Sequence, residues 1–327
     1  MADIEPGLVT IFGGSGFVGT QVVRAFARRG WRIRVAVRKP HTVLGPRTQG
    51  HVGQIQVTRC DIRSPEDVAA ALRGATAAVN LVGVLHESPG RNFATMHLDG
   101  ARTIAEACAR GGVERLIHIS AIGADRQAAS DYARSKGEGE LAVRQAFPAA
   151  TVVRPSLIFG SEDGFLNRFA RMAVMAPVLP LIGGGETRFQ PAFVGDVAEA
   201  IARAVDAPGR TFELGGPEVL TFREVLELIL KEIRRPRPFV PLPFFAARAL
   251  GSVAQLTALI GIPPILTRDQ VVSLQSDNVV ADDAEGFAAL GIEPVGIEAI
   301  APSYLWRYRK GGQFSERAEP TADFIPA

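Results

Sequence analysis

Short apolar runs alternate with segments of helical periodicity through the first half of the chain. Residues 77–82 are apolar almost throughout, which is typical of a strand that helices cover on both faces. An alternation of this kind predicts an α/β fold built on a doubly wound parallel sheet. The segments that predict its strands and helices are residues 8–12, 17–29, 31–37, 55–58, 65–72, 77–82, 93–110, 115–120, 132–147 and 151–153.

The alternation becomes less regular after Pro155, where glycine and proline clusters interrupt it. Beyond that point, a helix over 195–206 and a strand over 211–214 predict a return to the main sheet. We therefore expect two domains and a tail: a sheet domain of residues 1–160 with 190–215, a smaller C-terminal α/β lobe of 161–189 with 216–302, and a C-terminal helix end and extended tail over 303–327.

Local signals mark three of the predicted helix starts. Ser64 followed by Pro65 predicts an N-cap with proline at the first helical position. Capping boxes, in which a Thr caps the helix and a Glu or Gln three residues later returns the hydrogen bond, are predicted at Thr221 with Glu224 and at Thr267 with Gln270.

Composition limits the class of protein. The chain has 327 residues, of which 47% are hydrophobic, enough for a substantial core. Its 36 basic and 34 acidic residues give a formal charge of +2, which does not favour nucleic acid as the main partner. Cys60 and Cys108 lack the spacing of a metal or redox pair, and His86, His97 and His118 are too scattered for metal ligation. No metal site is predicted.

Neither a signal peptide nor a transmembrane helix is expected. Residues 1–5 are acidic and lead directly into a strand, without the basic and apolar regions of a secretion signal. The most apolar stretches, 172–182 and 246–262, contain prolines or an arginine and are shorter than the roughly 20 apolar residues that span a bilayer.

A glycine-rich turn joins the first predicted strand to the first predicted helix. At such a turn one glycine permits a tight bend, a second lets backbone N–H groups approach a pyrophosphate, and a third lets the helix pack close to the sheet. The position favours a Rossmann-type, dinucleotide-binding sheet over an ordinary glycine-rich turn of the same spacing. Its candidate binding residues are Gly13, Gly14, Ser15, Gly16, Phe17, Val18 and Gly19.

The end of the second strand indicates which dinucleotide is bound. An NAD-binding domain normally has an Asp or Glu there, about 20 residues after the glycines, whereas this chain has Arg38 and Lys39. Either Arg38 binds the 2′-phosphate of NADPH through charge-assisted hydrogen bonds, or both residues are solvated loop cations. We expect NADPH. Topology adds further candidates near the ends of later strands: Asp61, Ile62, Leu81, Val82, Gly83, Pro155 and Ile158.

A separate group of residues has the pattern of hydride-transfer chemistry. Ser120 ends the fifth predicted strand, and Tyr132 and Lys136 share one face of the next helix. In such a group the Lys cation lowers the pKa of the phenol and holds the nicotinamide ribose, the Tyr exchanges a proton with the substrate, and the Ser orients the substrate oxygen. The alternative is an exposed helix start, because this spacing also arises by chance.

Together these features resemble the extended and atypical short-chain dehydrogenases/reductases. Further segments resemble a narrower group, the nucleotide-binding accessory subunit of respiratory complex I, or alpha-subcomplex subunit nine family, in its bacterial form. They extend over nearly the whole chain: HISA at 118–121, SKGEGE at 135–140, VRPSLIFG at 153–160, DGFLNRF at 163–169, QPAFVGDVA at 190–198, LTRDQV at 266–271 and YLWRYR at 304–309.

The resemblance implies a tightly held NADPH that lies apart from electron transfer. It also implies partners among the complex I subunits at the junction of the peripheral and membrane arms, on the cytoplasmic side of the bacterial inner membrane. One departure weakens the expectation of catalysis. Residues 96–101 read MHLDGA, where many extended reductases have an Asn that orders the active-site helix.

Residues 239–265 form a candidate contact surface. Phe244, Phe245 and Leu250 belong to a predicted apolar helical face, with several arginines just upstream. Such a face either contacts a membrane or a membrane subunit, or it caps the second domain.

Three functions remain open on the sequence. The first is a stabilising or assembly subunit of a complex I-type NADH:quinone oxidoreductase, with NADPH as a structural cofactor. The second is a free NADP-dependent reductase, dehydrogenase or epimerase that acts on a small molecule through Ser120, Tyr132 and Lys136. The third is a regulator that senses NADPH, for which no separate feature is found. The resemblance in the C-terminal segments favours the first.

Overall fold

The structure is a computed structural model that describes residues 6–43, 45–88, 90–255, 266–312 and 314. Its described strands form one main sheet of seven parallel strands and three two-stranded sheets. The strands are β1 (Leu8–Phe12), β2 (Arg32–Val37), β3 (Ile55–Arg59), β4 (Ala77–Asn80), β5 (Arg115–Ile119), β6 (Thr151–Pro155), β7 (Ile158–Phe159), β8 (Leu179–Ile182), β9 (Arg188–Phe189), β10 (Ala192–Phe193), β11 (Thr211–Leu214), β12 (Leu220–Thr221) and β13 (Phe239–Leu242). The main sheet has the order β3-β2-β1-β4-β5-β6-β11, and the others pair as β7 with β10, β8 with β13 and β9 with β12.

Helices connect these strands and cover both faces of the main sheet. They are α1 (Phe17–Arg28), α2 (Pro65–Leu72), α3 (Gly100–Arg110), α4 (Asp131–Ala146), α5 (Leu166–Met175), α6 (Val194–Arg203), α7 (Phe222–Glu232), α8 (Phe244–Ala254), α9 (Arg268–Ser273), α10 (Ile297–Ile300) and α11 (Pro302–Leu305). A π-helical turn, Ala94–Asp99, leads directly into α3.

Strand β1, beside the central strand β4, shows how the sheet is buried. Val9 and Ile11 pack with α1 and α6 on one face, whereas Phe12 packs with α2 and α3 on the other. Thr10 lies on the second face, where its hydroxyl donates to the carbonyl oxygen of Ala71 in α2 at 2.9 Å. All four side chains are fully buried. Helices on both faces therefore explain why these strands contain so few polar residues.

A second hydrophobic cluster lies in the C-terminal part of the chain. Four aromatic rings meet within it, and Phe222 is at their centre, with ring centroids 5.4 Å from Phe169, 6.1 Å from Phe165 and 6.4 Å from Phe189. Tyr304 and other residues of α11 also pack there. The domain boundaries expected from the sequence, 161–189 with 216–302, remain a prediction.

The predicted fold class is confirmed, and the differences lie at element ends. The strand predicted over 77–82 stops at Asn80, because the Asn80 side chain accepts a hydrogen bond from the Val82 N–H and turns the backbone. The helix predicted over 93–110 begins instead as the π-helical turn. The strand predicted over 211–214 has those bounds and pairs with β6.

All three predicted helix caps are confirmed. Ser64 accepts from the Asp67 N–H, with Pro65 at the first helical position. The residue pairs that complete the two capping boxes are Thr221 with Glu224 and Thr267 with Gln270.

Parts of two other expectations lie outside the described residues. They are residues 256–265 of the candidate contact surface, and 313 and 315–327 of the predicted tail. Among the helices that are described, none has the length and apolar character to cross a membrane.

Packing around Phe222 allows a stability test. Replacing Phe222 by Ala removes a fully buried ring and leaves a cavity, so we expect the free energy of unfolding to fall by about 3–5 kcal/mol in denaturant titrations. Phe245→Ala is the matched control. Its ring is 71% exposed, and we expect a change of less than about 0.5 kcal/mol. Similar losses in both variants would contradict this description of the second core.

Candidate functional site

The turn between β1 and α1 requires two of its glycines for reasons of packing or conformation. Gly13 has φ +79°, in the left-handed region, and its carbonyl oxygen accepts the Gly16 N–H at 3.1 Å. A Cβ on Gly19 would lie 2.3 Å from the Gly13 oxygen and 2.6 Å from the Gly14 Cα. The first turn of α1 thus rests directly on the backbone of the glycine turn.

Gly16 differs, because nothing in the protein requires a glycine there. It has ordinary extended backbone angles, and a Cβ would meet only the Gly13 oxygen, at 3.5 Å. Gly16 and Ser15 are exposed at the start of α1, where no side chain caps the helix and the first turn has no acidic residue. A bare, uncapped helix N-terminus is a favourable environment for a phosphate group.

Strands β2 and β3 end beside each other, and the residues that follow them include charges of opposite sign. Arg38 and Lys39 follow β2 and are exposed. After β3, Asp61 accepts hydrogen bonds from Arg63, with Nη2 to Oδ2 at 2.6 Å, which lowers the pKa of the Asp61 carboxyl. The neighbouring Ile62 is buried. The Asp61 carboxylate is therefore paired with a cation of its own loop, Arg63.

A histidine fixes the loop that follows β4, which contains the candidates Leu81, Val82 and Gly83. The Val84 N–H donates to Nε2 of His97 at 2.9 Å. On its other side, Nδ1 of His97 lies 2.8 Å from Oγ of Ser135 in α4. The imidazole thus connects this loop to the helix that carries Tyr132 and Lys136.

Lys136 is buried where several candidate segments converge. Its Nζ donates to the backbone oxygen of Ile119 at 3.1 Å and lies 6.0 Å from the Tyr132 ring centroid. A Cβ on Gly83 would be 3.3 Å from the same Nζ. Ser120 follows Ile119 and is buried, and within the described residues its Oγ has no hydrogen-bond partner.

Burial shifts the pKa values of this group. It raises the pKa of Tyr132 to about 12 and lowers that of Lys136 to about 8, although the Glu140 carboxylate opposes the second shift. The expectation that Lys136 lowers the phenol pKa is wrong for this structure. Loss of solvent around the phenol dominates, and the ammonium group donates to a backbone oxygen.

His97 and His118 are site residues that the sequence analysis did not identify. His97 stacks on Phe93 and meets the Tyr132 ring edge-to-face, with ring centroids 5.4 and 5.5 Å away. Burial, with smaller contributions from nearby cations, lowers the pKa of His97 to about 2 and that of His118 to about 3, so both stay neutral. The signal in the sequence was that each histidine has an apolar neighbour on either side: Met96 and Leu98 for His97, and Ile117 and Ile119 for His118.

The remaining candidates lie at the ends of β6 and β7. The Pro155 carbonyl oxygen accepts from the Ile122 N–H at 3.1 Å, and Ile158 pairs with β10. After β7, a Cβ on Gly160 would lie 3.3 Å from the Phe17 ring, so Phe17 reaches this segment from α1. Among the described residues, no group of three or more His, Cys, Asp or Glu side chains could hold a metal ion.

A dinucleotide fits the residues present. The uncapped start of α1, with a glycine that the protein itself does not require, suits a pyrophosphate. The buried Ser120 hydroxyl lacks a hydrogen-bond partner in the described part of the chain, and it lies beside Lys136. A bound ligand could supply the missing hydrogen bond.

Comparison with known proteins agrees with this geometry. The model of the NAD dependent epimerase/dehydratase family matches residues 9–215, more than half of the chain. The chain belongs to this family. It is 22% identical to the Thermus thermophilus UDP-glucose 4-epimerase solved in complex with NAD, with a TM-score of 0.65 over 92% of this chain and 98% of that one. At that identity the likeness concerns the fold alone.

Two other relatives are more similar to this chain in sequence than that epimerase is. The chain is 35% identical over 322 residues to the NADH dehydrogenase (ubiquinone) 1 alpha subcomplex subunit 9 of Arabidopsis thaliana mitochondria, covering 93% of this chain and 79% of the relative. It is 36% identical over 182 residues to the ceramide reductase of Caulobacter vibrioides, covering 56% of each. The resemblance to the subunit nine family is confirmed.

The Gly19 contact predicts a loss of binding. In Gly19→Ala the new methyl group overlaps backbone atoms, so the glycine turn and the start of α1 must separate. We expect NADPH binding, measured by fluorescence titration, to weaken by roughly tenfold or more. Gly164→Ala is the matched control, because its Cβ would meet nothing within 4 Å. Unchanged binding in Gly19→Ala would contradict the assignment of this turn to the nucleotide.

Proposed function

We propose that this protein is an NADPH-binding accessory subunit that stabilises or helps to assemble a complex I-type NADH:quinone oxidoreductase. The observation that carries the proposal is the extent of the subunit 9 match. It covers 93% of this chain, whereas the general epimerase/dehydratase model ends at residue 215. The C-terminal lobe, and not only the dinucleotide fold, is therefore shared with a subunit of that enzyme.

In this proposal the cofactor is structural. NADPH supplies a hydride in enzymes that turn it over, and a proton donor near neutral pKa normally accompanies that transfer. Burial raises the pKa of Tyr132 to about 12, so its phenol stays protonated near pH 7, and Lys136, whose pKa is lowered to about 8, has its ammonium group bound to the Ile119 backbone oxygen. His97 also stays neutral, and its hydrogen bonds to Val84 and Ser135 position backbone and side chain. These features suit a site that holds a ligand without transforming it.

The charges of the residues that follow β2 and β3 are the basis for proposing that the protein prefers NADPH to NADH. Arg38 and Lys39 are exposed there, and Asp61, the acid after the adjacent strand, is paired with Arg63. A 2′-phosphate would thus meet cations and no free carboxylate. A guanidinium group binds phosphate through two parallel hydrogen bonds, so we assign the main contact to Arg38.

The proposed partners are complex I subunits at the junction of the peripheral and membrane arms, on the cytoplasmic side of the bacterial inner membrane. In the described part of residues 239–265, α8 exposes Phe245, Leu250 and Val253, each more than half exposed. An exposed apolar face of this kind suits contact with a membrane subunit or the membrane surface.

A free NADP-dependent reductase, dehydrogenase or epimerase is the alternative function. Two observations favour it: the match to a ceramide reductase over 182 residues, and the convergence of Ser120 and Lys136 near the Tyr132 ring. In that case Ser120, Tyr132 and Lys136 would be the catalytic residues.

The cofactor preference leads to a charge-reversal test. Arg38→Asp places a carboxylate where the 2′-phosphate is proposed to bind. We expect NADPH affinity to fall by roughly tenfold to a hundredfold, while NADH affinity changes by less than about threefold. Arg171→Asp, on the exposed surface of α5, is the control of equal charge change. Equal losses for both nucleotides would remove Arg38 from the 2′-phosphate site.

Two variants in the native organism separate the functions. With a structural cofactor, Tyr132→Phe should leave the amount and activity of assembled complex I unchanged, whereas Gly19→Ala should lower both in membrane assays. A free reductase predicts that Tyr132→Phe abolishes its own reductase activity although the nucleotide still binds, and that neither variant changes complex I. Normal complex I in the Gly19→Ala strain would contradict the proposal.

A further inference from the structure

A carboxylate from the C-terminal lobe caps the helix that carries Tyr132 and Lys136. Asp269, in α9, accepts the Asp131 N–H on Oδ1 at 2.6 Å and the Tyr132 N–H on Oδ2 at 3.1 Å. The same Oδ2 accepts the hydroxyl of Ser130, the N-cap residue of α4, at 2.9 Å. A residue more than 130 positions away thus holds the first two N–H groups of α4.

The contact is reinforced by a second hydroxyl. Ser273, one turn after Asp269, places its Oγ 3.0 Å from the Ser130 Oγ. Because α4 has 16 residues, its N-terminus carries the positive end of a helix dipole, which a carboxylate stabilises. Asp269 satisfies these donors by charge and by geometry together.

Helix α9 is itself anchored to the second lobe. Its capping box fixes its start at Thr267, and the Thr187 hydroxyl donates to the Leu274 carbonyl oxygen at its end. Gly251 of α8 lies so close that a Cβ there would be 2.8 Å from the Arg268 nitrogen. Asp269 is therefore held by the same packing that orients α8, whose other side exposes Phe245, Leu250 and Val253.

We propose that Asp269 is a positioning residue of the dinucleotide site, through which nucleotide binding and the seating of α8 and α9 stabilise each other. It sets the start of α4, and therefore the places of Tyr132 at the second helical position and of Lys136 one turn later. Coupling of this kind is reciprocal by thermodynamic necessity. The inference rests on the proposed binding of NADPH.

Removal of the carboxylate charge tests the positioning role. Asp269→Asn keeps the size of the side chain but leaves one acceptor oxygen for three donors. We expect NADPH affinity in the full-length protein to fall by roughly tenfold, with a smaller loss in Ser273→Ala. Asp282→Asn, an exposed carboxylate of the same region, is the control and should bind NADPH as the unaltered protein does.

Amide hydrogen exchange tests the coupling between nucleotide binding and α9. The first measurement uses the unaltered protein. In the unaltered protein, saturating NADPH should slow amide exchange in peptides covering 266–275 as well as in those covering the glycine turn. In Asp269→Asn at saturating NADPH, protection of the glycine turn should remain while that of 266–275 is lost. A residue that only added general stability would change both peptides equally.

The outcomes separate this inference from the proposed function. If NADPH protects neither peptide in the unaltered protein, nucleotide binding itself fails. If NADPH binds and protects the glycine turn but leaves 266–275 unchanged, or if Asp269→Asn binds NADPH with unaltered affinity, the positioning role is overturned.

Discussion

The parallel direction of the seven main strands is the constraint on which the candidate site depends. Because all carboxyl ends meet at one edge, residues distant in sequence become neighbours there. Arg38, Gly83 and Ser120 each follow a different strand, and α1 begins at the same edge. The Gly19 contact then determines how closely α1 approaches the turn. The site is thus a consequence of strand direction and of one close backbone contact.

Much of this could be predicted from the sequence, because it follows from local rules. Apolar runs identified the strands, a Ser followed by a Pro identified one helix start, and a Thr followed three residues later by a Glu or Gln identified two more. The end of β4 could not be predicted, since the Asn80 side chain ends it through its own hydrogen bond. The roles of His97 and Asp269 depend on contacts between segments far apart in the chain. Such contacts leave no pattern in the hydrophobic and polar positions of the sequence, so they could be identified only in the structure.

Burial explains the chemical character of the site. It moves the pKa of Tyr132 upward and that of Lys136 downward, and it keeps His97 neutral. Where many extended reductases have an Asn that orders the active-site helix, this chain has the neutral His97, which connects that helix to the loop after β4. The second lobe contributes Asp269 to the same helix. In the proposed function, strong positioning and a Tyr132 phenol that stays protonated near pH 7 suit a structural cofactor.

In the proposed function, NADPH stays bound in a subunit of a larger respiratory assembly. The most direct measurement is to purify the tagged protein from gently detergent-solubilised membranes of its own organism, then identify the copurified proteins and quantify the bound nucleotide. An accessory subunit with a structural cofactor should be recovered with complex I subunits and about one NADPH per chain, retained through washing. Recovery as a soluble protein without those subunits, with nucleotide that exchanges readily, would contradict the proposed function and favour a free reductase.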